Sequence, residues 1–352
     1  MADVAGLSWT RKKIVLSAAG AIAGVAAAVG IGLAVGSTQP PVLKAAPLAT
    51  PTPTPTPTPK APAQLRSPFT GEPVKSLRRV LAVKIDNIVY ARPQTGLTAA
   101  DIVYVLPVEG GLTRFLAIFS SHIPPVIGPV RSARADDLEL LRQFGRPAFA
   151  WSGAQPRLTG VIERDPRIVD LSADLMGGYY RNYNRIAPYN LYANTHTLLA
   201  ESKGASNAHS IGFKFGPPNP GGRRTSSASV SYPAASYRFT WSAGQGRWLV
   251  WMDGARAAST EGKQLSAATV VIQHTLVRTS KYKEYGRPPP FASTFGHGTA
   301  IVLRSGRAYR VRWSRRRMDG GTTFTTLSGQ PMRFAAGPVW IVLTGNRRAE
   351  SG

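Results

Sequence analysis

The sequence predicts an α+β (or α/β) domain followed by a mostly-β domain, a sandwich or open barrel, with one transmembrane helix ahead of both. Three observations carry this. Residues 14–36 form an uncharged apolar run of 23. Residues 66–204 interleave strand-like and helix-like patterns, which is how a layered mixed domain reads. Residues 230–345 carry short strand-like runs separated by turn residues, the pattern of an all-β domain.

The N-terminal run is long enough to cross a bilayer core of about 30 Å as a helix. Arg11, Lys12 and Lys13 precede it directly, and no basic cluster follows for many residues. That asymmetry places residues 1–13 in the cytoplasm and the bulk of the chain outside the cell membrane. A signal peptide's apolar stretch is usually about 7–15 residues. The longer run favours a retained, single-pass signal-anchor over cleavage after Ala34-Val35-Gly36. Residues 37–65 are a Thr/Pro-rich spacer, with five Thr-Pro pairs at 50–59. Alternating proline favours polyproline II, so Pro40 to Pro62 spans on the order of 70 Å.

In the first folded part, 66–204, Val80–Asp86 and Ile102–Leu106 are β-branched apolar runs of strand length. Glu109-Gly110-Gly111 is a turn, and Leu112–Ser120 returns as a strand, giving a hairpin. Asp136–Phe144 has helical spacing, acids in its first turn and Gly145 as its stop. Ala148–Trp151 is a short strand, and Leu158–Arg164 and Thr195–Ser202 are expected helices. Residues 205–229, rich in Gly, Pro, Ser and Thr, are expected as a linker. The second part, 230–345, supplies seven expected strands: Val230–Trp241, Arg247–Met252, Ala268–Val277, Thr299–Leu303, Arg307–Trp313, Thr322–Thr326 and Gly337–Leu343. Ser305-Gly306 is its clearest hairpin turn.

Composition narrows the chemistry. The 352 residues include no cysteine, which excludes disulfides, thiolate catalysis, Cys-ligated zinc, iron–sulfur clusters and a thioether lipid anchor. No GxSxG elbow, HExxH pair, Walker loop or dinucleotide glycine fingerprint occurs, so no cofactor is expected. The five histidines (122, 196, 209, 274 and 297) lack paired ligand spacing, so no metal site is expected either. Net charge is +25, and it is uneven: 61–204 carries 17 basic and 12 acidic residues, 205–352 carries 21 and 5. With the chain outside the membrane, the basic surplus points to an anionic cell-wall polymer or the membrane surface, or to another envelope protein, rather than to nucleic acid. Arg315-Arg316-Arg317, expected in a hairpin loop, reads as a solvated basic loop or part of such a surface.

Six phrases of the first part then follow one another in a familiar order: KIDN (84–87), ARPQTGL (91–97), ADIVY (100–104), VEGGLTRFLAIF (108–119), IGPVRSAR (127–134) and APYNLY (187–192). With TEGKQLSAATVVIQ (260–273), GHGTAIVLRSGRAYRVRW (296–313) and GPVWIVL (337–343), the chain resembles the YerB-like family of predicted bacterial lipoproteins, a domain of unknown function. The resemblance spans roughly residues 66–345 and implies a cell-surface location, an N-terminal α/β domain plus a C-terminal β domain, and no agreed activity. Two departures stand out: the lipidated cysteine usual in that family is missing, and no acidic residue occupies Ala258–Thr260.

The candidate site residues come from these phrases. In IGPVRSAR, Gly128-Pro129 forces a turn ahead of the expected helix, with Ser132 or Ala135 near its start. Arg131 and Arg134, three apart, would share one face of a helical first turn beside free N–H groups. Such a pair suits carboxylate, phosphate or sulfate. Arg92 and Arg114 are expected to join it, and Tyr189 and Asn190, from the tyrosine-rich run 179–192, to supply ring and amide contacts. The alternative is that these arginines pair internally with Asp86, Asp101 and Glu109. No catalytic set is assigned, but Asp86 and Glu109 are the carboxylates that a glycoside hydrolase reading would use. The leading function is an anion-binding, membrane-anchored envelope protein. The alternatives are an envelope-glycan hydrolase or phosphotransferase, and a non-catalytic scaffold.

Overall fold

The computed structural model describes residues 64–283 and 288–345. Segments 1–13 and 14–36 and nearly all of the spacer lie outside these residues. Among the described residues, no helix is long and apolar enough to cross a membrane.

The first part follows the sequence closely. β1 (Leu81–Asp86), β2 (Ile102–Pro107) and β3 (Thr113–Phe119) are runs of branched and aromatic residues. The turn at Glu109–Gly111 closes β2 and β3 into an antiparallel hairpin, with Gly110 and Gly111 at φ +69° and +72°, a region L side chains rarely adopt. β4 (Val126–Ile127) runs into Gly128, where a Cβ would stand 2.9 Å from the Leu191 carbonyl oxygen. α1 (Ala135–Leu141) continues as one 3-10 turn, Arg142–Phe144, and stops at Gly145. β5 (Ala148–Trp151), α2 (Pro156–Glu163) and β6 (Val169–Ser172) follow. β7 (Tyr179–Arg181) and β8 (Leu191–Asn194) form a small sheet with β4. α3 (Thr195–Glu201) starts on Asn194, whose side chain accepts from the N–H groups of His196 and Thr197.

The second part departs more. The expected linker is folded: β9 (Lys214–Phe215) and β10 (Arg223–Arg224) pair with later strands, and Ile211 and Phe213 are buried. The single strand expected over Val230–Trp241 is two, β11 (Ser227–Tyr232) and β12 (Ala235–Ser242). Pro233 has no N–H with which to continue a ladder, so the chain turns there. β13 (Arg247–Met252), β14 (Ala255–Arg256) and β15 (Ser266–Ala267) complete a five-stranded antiparallel sheet. Next come β16 (Thr269–Thr275) and the short pair β17 (Val277–Thr279) and β18 (Pro290–Ala292). β19 (Gly296–Arg304) and β20 (Arg307–Arg315) form a hairpin about Ser305-Gly306, both at positive φ as a two-residue turn requires. β21 (Thr323–Thr326), β22 (Arg333–Phe334, beside β9) and β23 (Val339–Gly345) end the described chain.

One sheet runs through both parts, in the order β10-β20-β19-β16-β23-β2-β3-β1-β5-β6, with β21 beside β20. Its centre is β23, parallel to β16 on one side and to β2 on the other. The expected linker at 205–229 therefore divides the sequence but not the sheet. Among the described residues no closed barrel forms. A sandwich does, but one of its layers is the shared sheet. Alternate side chains go to opposite faces. Val83, Ile85, Val103, Phe115, Val270 and Trp340 pack with Val230, Phe239, Trp248 and Val250 of the five-stranded sheet. Ala82, Tyr104, Leu116, Val271 and Ile341 pack on the other face with Leu138 and Leu141 of α1 and Leu158 and Ile162 of α2.

Candidate functional site

β1, β2 and β5 all point their carboxyl ends to one edge of the sheet, because β3 is antiparallel to both β1 and β2, and β5 is parallel to β1. Such edges are where open mixed sheets present side chains to ligands. Asp86 is the last residue of β1. Arg114, near the start of β3, stands opposite Asp86 on one side and Leu106 on the other. Glu109 lies in the turn just beyond β2.

The IGPVRSAR segment is extended, not helical. Asp86 N–H donates to the Pro129 carbonyl (3.0 Å), Arg131 N–H to Lys84 (2.9 Å), Ser152 N–H to Arg131 (3.1 Å) and Ala133 N–H to Gly153 (3.0 Å). The segment is thus stitched between the ends of β1 and β5. Arg131 and Arg134 do not share a helical face, since the helix begins only at Ala135. Its N-terminus is also closed: Asp137 Oδ2 accepts from Arg134 N–H at 2.7 Å, and Asp137 Oδ1 pairs with Lys84 Nζ at 2.6 Å. The first turn also carries two buried acids, Asp136 and Asp137, which do not suit an anion at its N–H groups.

The guanidinium groups do converge. Arg131 Nε donates to Asp86 Oδ2 at 2.7 Å, while Asp86 Oδ1 accepts from Asn87 N–H at 2.7 Å. The Arg131 side chain is 25% exposed and lies over the Tyr189 ring, 5.5 Å from its centroid. Tyr189 in turn stacks on Tyr90. Arg134 grips Glu109 in a fork, Nε to Oε1 at 2.8 Å and Nη2 to Oε2 at 2.9 Å. Arg114 Nη1 donates to the Ser132 carbonyl at 3.3 Å, and its buried Nε has no hydrogen-bond partner.

Burial, with the charge of Arg134 next, pushes the Arg114 guanidinium down to about 10; Arg131 adds to this, while Asp86 and Glu109 oppose it. For Glu109, burial works to raise its pKa, but the hydrogen bonds and charge of Arg134 outweigh it and hold the carboxyl below its usual range. The cluster holds three guanidiniums to two carboxylates.

Two of the expected ligand residues are employed elsewhere. Arg92 donates to the Asn87 carbonyl and pairs with Asp253 Oδ2 at 2.8 Å, tying the first part to the β13–β14 turn. Asn190 is buried, and its Oδ1 accepts from Arg181 at 2.9 Å, bracing the tyrosine loop. Asp101 pairs with no arginine among the described residues; its Oδ2 accepts from the N–H groups of Ser120 and Ser121. Arg315 is not solvated but fully buried, donating to the carbonyls of Glu139 (2.8 Å) and Gly320 (3.0 Å), whereas Arg316 is exposed.

Sequence reasoning missed the supports: Asn87 Nδ2 donates to Thr113 Oγ1 (3.1 Å) and to the Tyr237 hydroxyl, and Gln94 Nε2 donates to Asn87 Oδ1 (3.0 Å). No local pattern links Tyr237 to that strand end. The Lys84–Asp137 pair did leave a signal, since a lysine in mid-strand must find a partner when both faces are covered.

Comparison with known proteins agrees with this architecture. Residues 69–209 match the model for the N-terminal domain of a protein of unknown function (DUF3048), and residues 228–341 match the C-terminal domain of the same family. YerB, a predicted lipoprotein of Bacillus subtilis (strain 168), is 37% identical over 153 residues, covering 40% of this chain and 44% of the relative. The aligned region is thus less than half of that relative's length. The crystal structure of YerB protein from Bacillus subtilis superposes with a TM-score of 0.69 at 24% identity, covering 80% of this chain and 97% of that one, and so shares the fold. With both domains matched in order and the same fold across them, the chain belongs to the YerB-like family of unknown function.

Proposed function

We propose that this chain is a membrane-anchored, extracytoplasmic protein of the cell envelope that binds an anionic ligand at the Arg114–Arg131 cluster. The observation that carries the reading is the charge imbalance at the sheet edge. Three guanidiniums face two carboxylates, and Arg114 keeps a buried Nε unbonded. A bound phosphate, sulfate or carboxylate supplies the missing charge and acceptor. Arg131 spends its Nε–H on Asp86 and sits over the Tyr189 ring, and its side chain stays partly exposed, which leaves donors for a ligand. The exposed arginines of β20, Arg310 and Arg312, with Arg316 and Arg317 beyond it, give the second part a surface suited to an anionic wall polymer or lipid headgroups. The predicted helix at 14–36, together with kinship to a predicted lipoprotein, supports the envelope location.

A glycosidase is less well served by this geometry. It needs a carboxyl poised to give up a proton, and Glu109 is instead held ionised in the fork of Arg134. Calorimetric titration with phosphate, pyrophosphate and sulfate tests the proposal, using wild type, Arg131→Lys and Arg114→Met. Arg131→Lys keeps the charge beside Asp86 but loses the fork, and binding should weaken about tenfold or more. Arg114→Met should abolish binding while leaving the melting temperature unchanged or raised. Loss of stability with no effect on anions would make the arginines scaffold and overturn the reading. Protease digestion of intact cells checks the location: residues beyond 36 should be cleaved without breaking the cells.

A further inference from the structure

We propose that a second site, the cavity at the seam of the two parts, binds a short zwitterionic peptide. The cavity has a volume of about 460 Å³, within the roughly 300–1,000 Å³ usual for small-molecule sites. It is separate from the arginine cluster. Its walls come from both parts of the chain: Glu72, Asp101 and His122 from the first, and Arg247, Lys263 and Trp340 from the second.

Charges of both signs line it, and they are incompletely matched. Asp101 is 1% exposed and rigidly placed, since its N–H donates to Ile118 and its carbonyl accepts from Val339. Its Oδ2 accepts two backbone N–H groups, while its Oδ1 is buried with no partner. Arg247 approaches Glu72 only to 3.7 Å, beyond hydrogen-bond distance, and both side chains are about one-third exposed. The Arg247 guanidinium lies over Gly337, where a Cβ would come within 1.9 Å of Nη1, so only glycine admits it there. Lys263 is exposed and has no carboxylate within salt-bridge range among the described residues. A simple anion entering this cavity meets Glu72 and Asp101, and a simple cation meets Arg247 and Lys263. A molecule with a carboxylate at one end and an ammonium at the other satisfies all four, and the Trp340 wall accommodates the apolar stretch between. A short peptide with free termini has this chemistry.

Titration calorimetry on the full chain in detergent, at about pH 7.5 where Asp101 is ionised, compares trialanine with its N-acetyl and C-amide forms. Trialanine should bind, and each blocked form should bind about tenfold more weakly or worse, because a charged hydrogen bond is lost at that end. Arg247→Met should narrow the difference between acid and amide, with Lys263 supplying what remains. Asp101→Asn should erase the difference between free and acetylated amine. Lys263→Ala changes an exposed side chain, so it tests the cavity without risk to folding. It should weaken trialanine and leave the amide unaffected. Absence of trialanine binding at millimolar concentration, equal binding of the blocked forms, or no change in Lys263→Ala would overturn the proposal.

Discussion

Lys84→Met should destabilise the protein by several kcal/mol and make that loss depend on pH. Lys84 and Asp137 are both fully buried and meet at 2.6 Å. Methionine fills nearly the same space and removes the charge. Asp137 would then retain one N–H donor, from Arg134 at 2.7 Å. Beside it sits Asp136, fully buried with Oδ1 unbonded, and pushed up to about 7 by burial and by Asp137, with Lys84 opposing. Removing one partner of a buried ion pair costs about 3–5 kcal/mol. With a urea slope of about 3 kcal/mol/M, the unfolding midpoint should fall by about 1–2 M. The assay is equilibrium urea unfolding followed by tryptophan fluorescence, since Trp151, Trp248, Trp313 and Trp340 are buried. The stranded carboxylate should bind a proton more readily in the folded variant than in the unfolded chain, so the deficit should shrink as pH falls from about 8 to about 5. Adding Asp137→Asn should recover most of the stability. A deficit below about 1 kcal/mol at the higher pH, or one equal at both, would refute the buried-pair reasoning.

Two further predictions concern buried groups. Burial raises Asp101 to about 6 and Asp136 to about 7, from 3.8. The folded state therefore keeps protons that the unfolded chain has lost, and stability should fall as pH rises from about 4 to about 7. Asp101→Asn should flatten the lower part of that slope and Asp136→Asn its full span; urea midpoints across pH that keep the wild-type slope would contradict this. Arg315→Met should cost about 3 kcal/mol or more, because it strands the carbonyls of Glu139 and Gly320, whereas exposed Arg316→Met should stay within about 0.5 kcal/mol. Thermal unfolding of the two variants side by side tells whether burial or charge count decides.

Local chemistry was legible in the sequence, and pairing between distant segments was not. The β2–β3 hairpin announced itself because Gly110-Gly111 supplies positive φ between two apolar runs, and the β19–β20 turn did so through Ser305-Gly306. α1 was marked by Asp136 and Asp137 ahead of its apolar positions and by Gly145 after them. The partners of β23 could not be read. Val339–Gly345 is buried on both faces, and such a strand is a plain apolar run with no alternation to show which strands flank it. The arginine site was half legible. The alternative of internal pairing named Asp86 and Glu109, which the arginines of IGPVRSAR do meet, and Asp101, which they do not, while spacing of three suggested a helix where β1 and β5 had open backbone groups to satisfy. Those ladder bonds hold the segment extended and send Arg131 and Arg134 to different acids.

That outcome bears on why the cluster exists at all. Two arginines paired with two acids would suffice to brace the ends of β1 and β2. A buried ion pair is seldom more stabilising than apolar residues of similar size, so bracing alone does not explain even these. The third guanidinium is harder to explain as scaffold: Arg114 is driven down to about 10 by burial and by its cationic neighbours, and one of its donors bonds to nothing. Under the anion-binding proposal, burying this charge works against the stability of the empty protein. The shared sheet can bear that cost because β3 is held on both flanks, by β1 and β2, and the strand that carries Arg114 cannot swing the charge out to water without breaking its ladder. Under the proposed anion-binding reading, a cation fixed in place, short of one acceptor and beside the partly exposed Arg131 side chain, is preorganised for its ligand. On that proposal, repulsion present in the empty state would be relieved when an anion binds, so affinity and the destabilisation of the unliganded fold would have the same source.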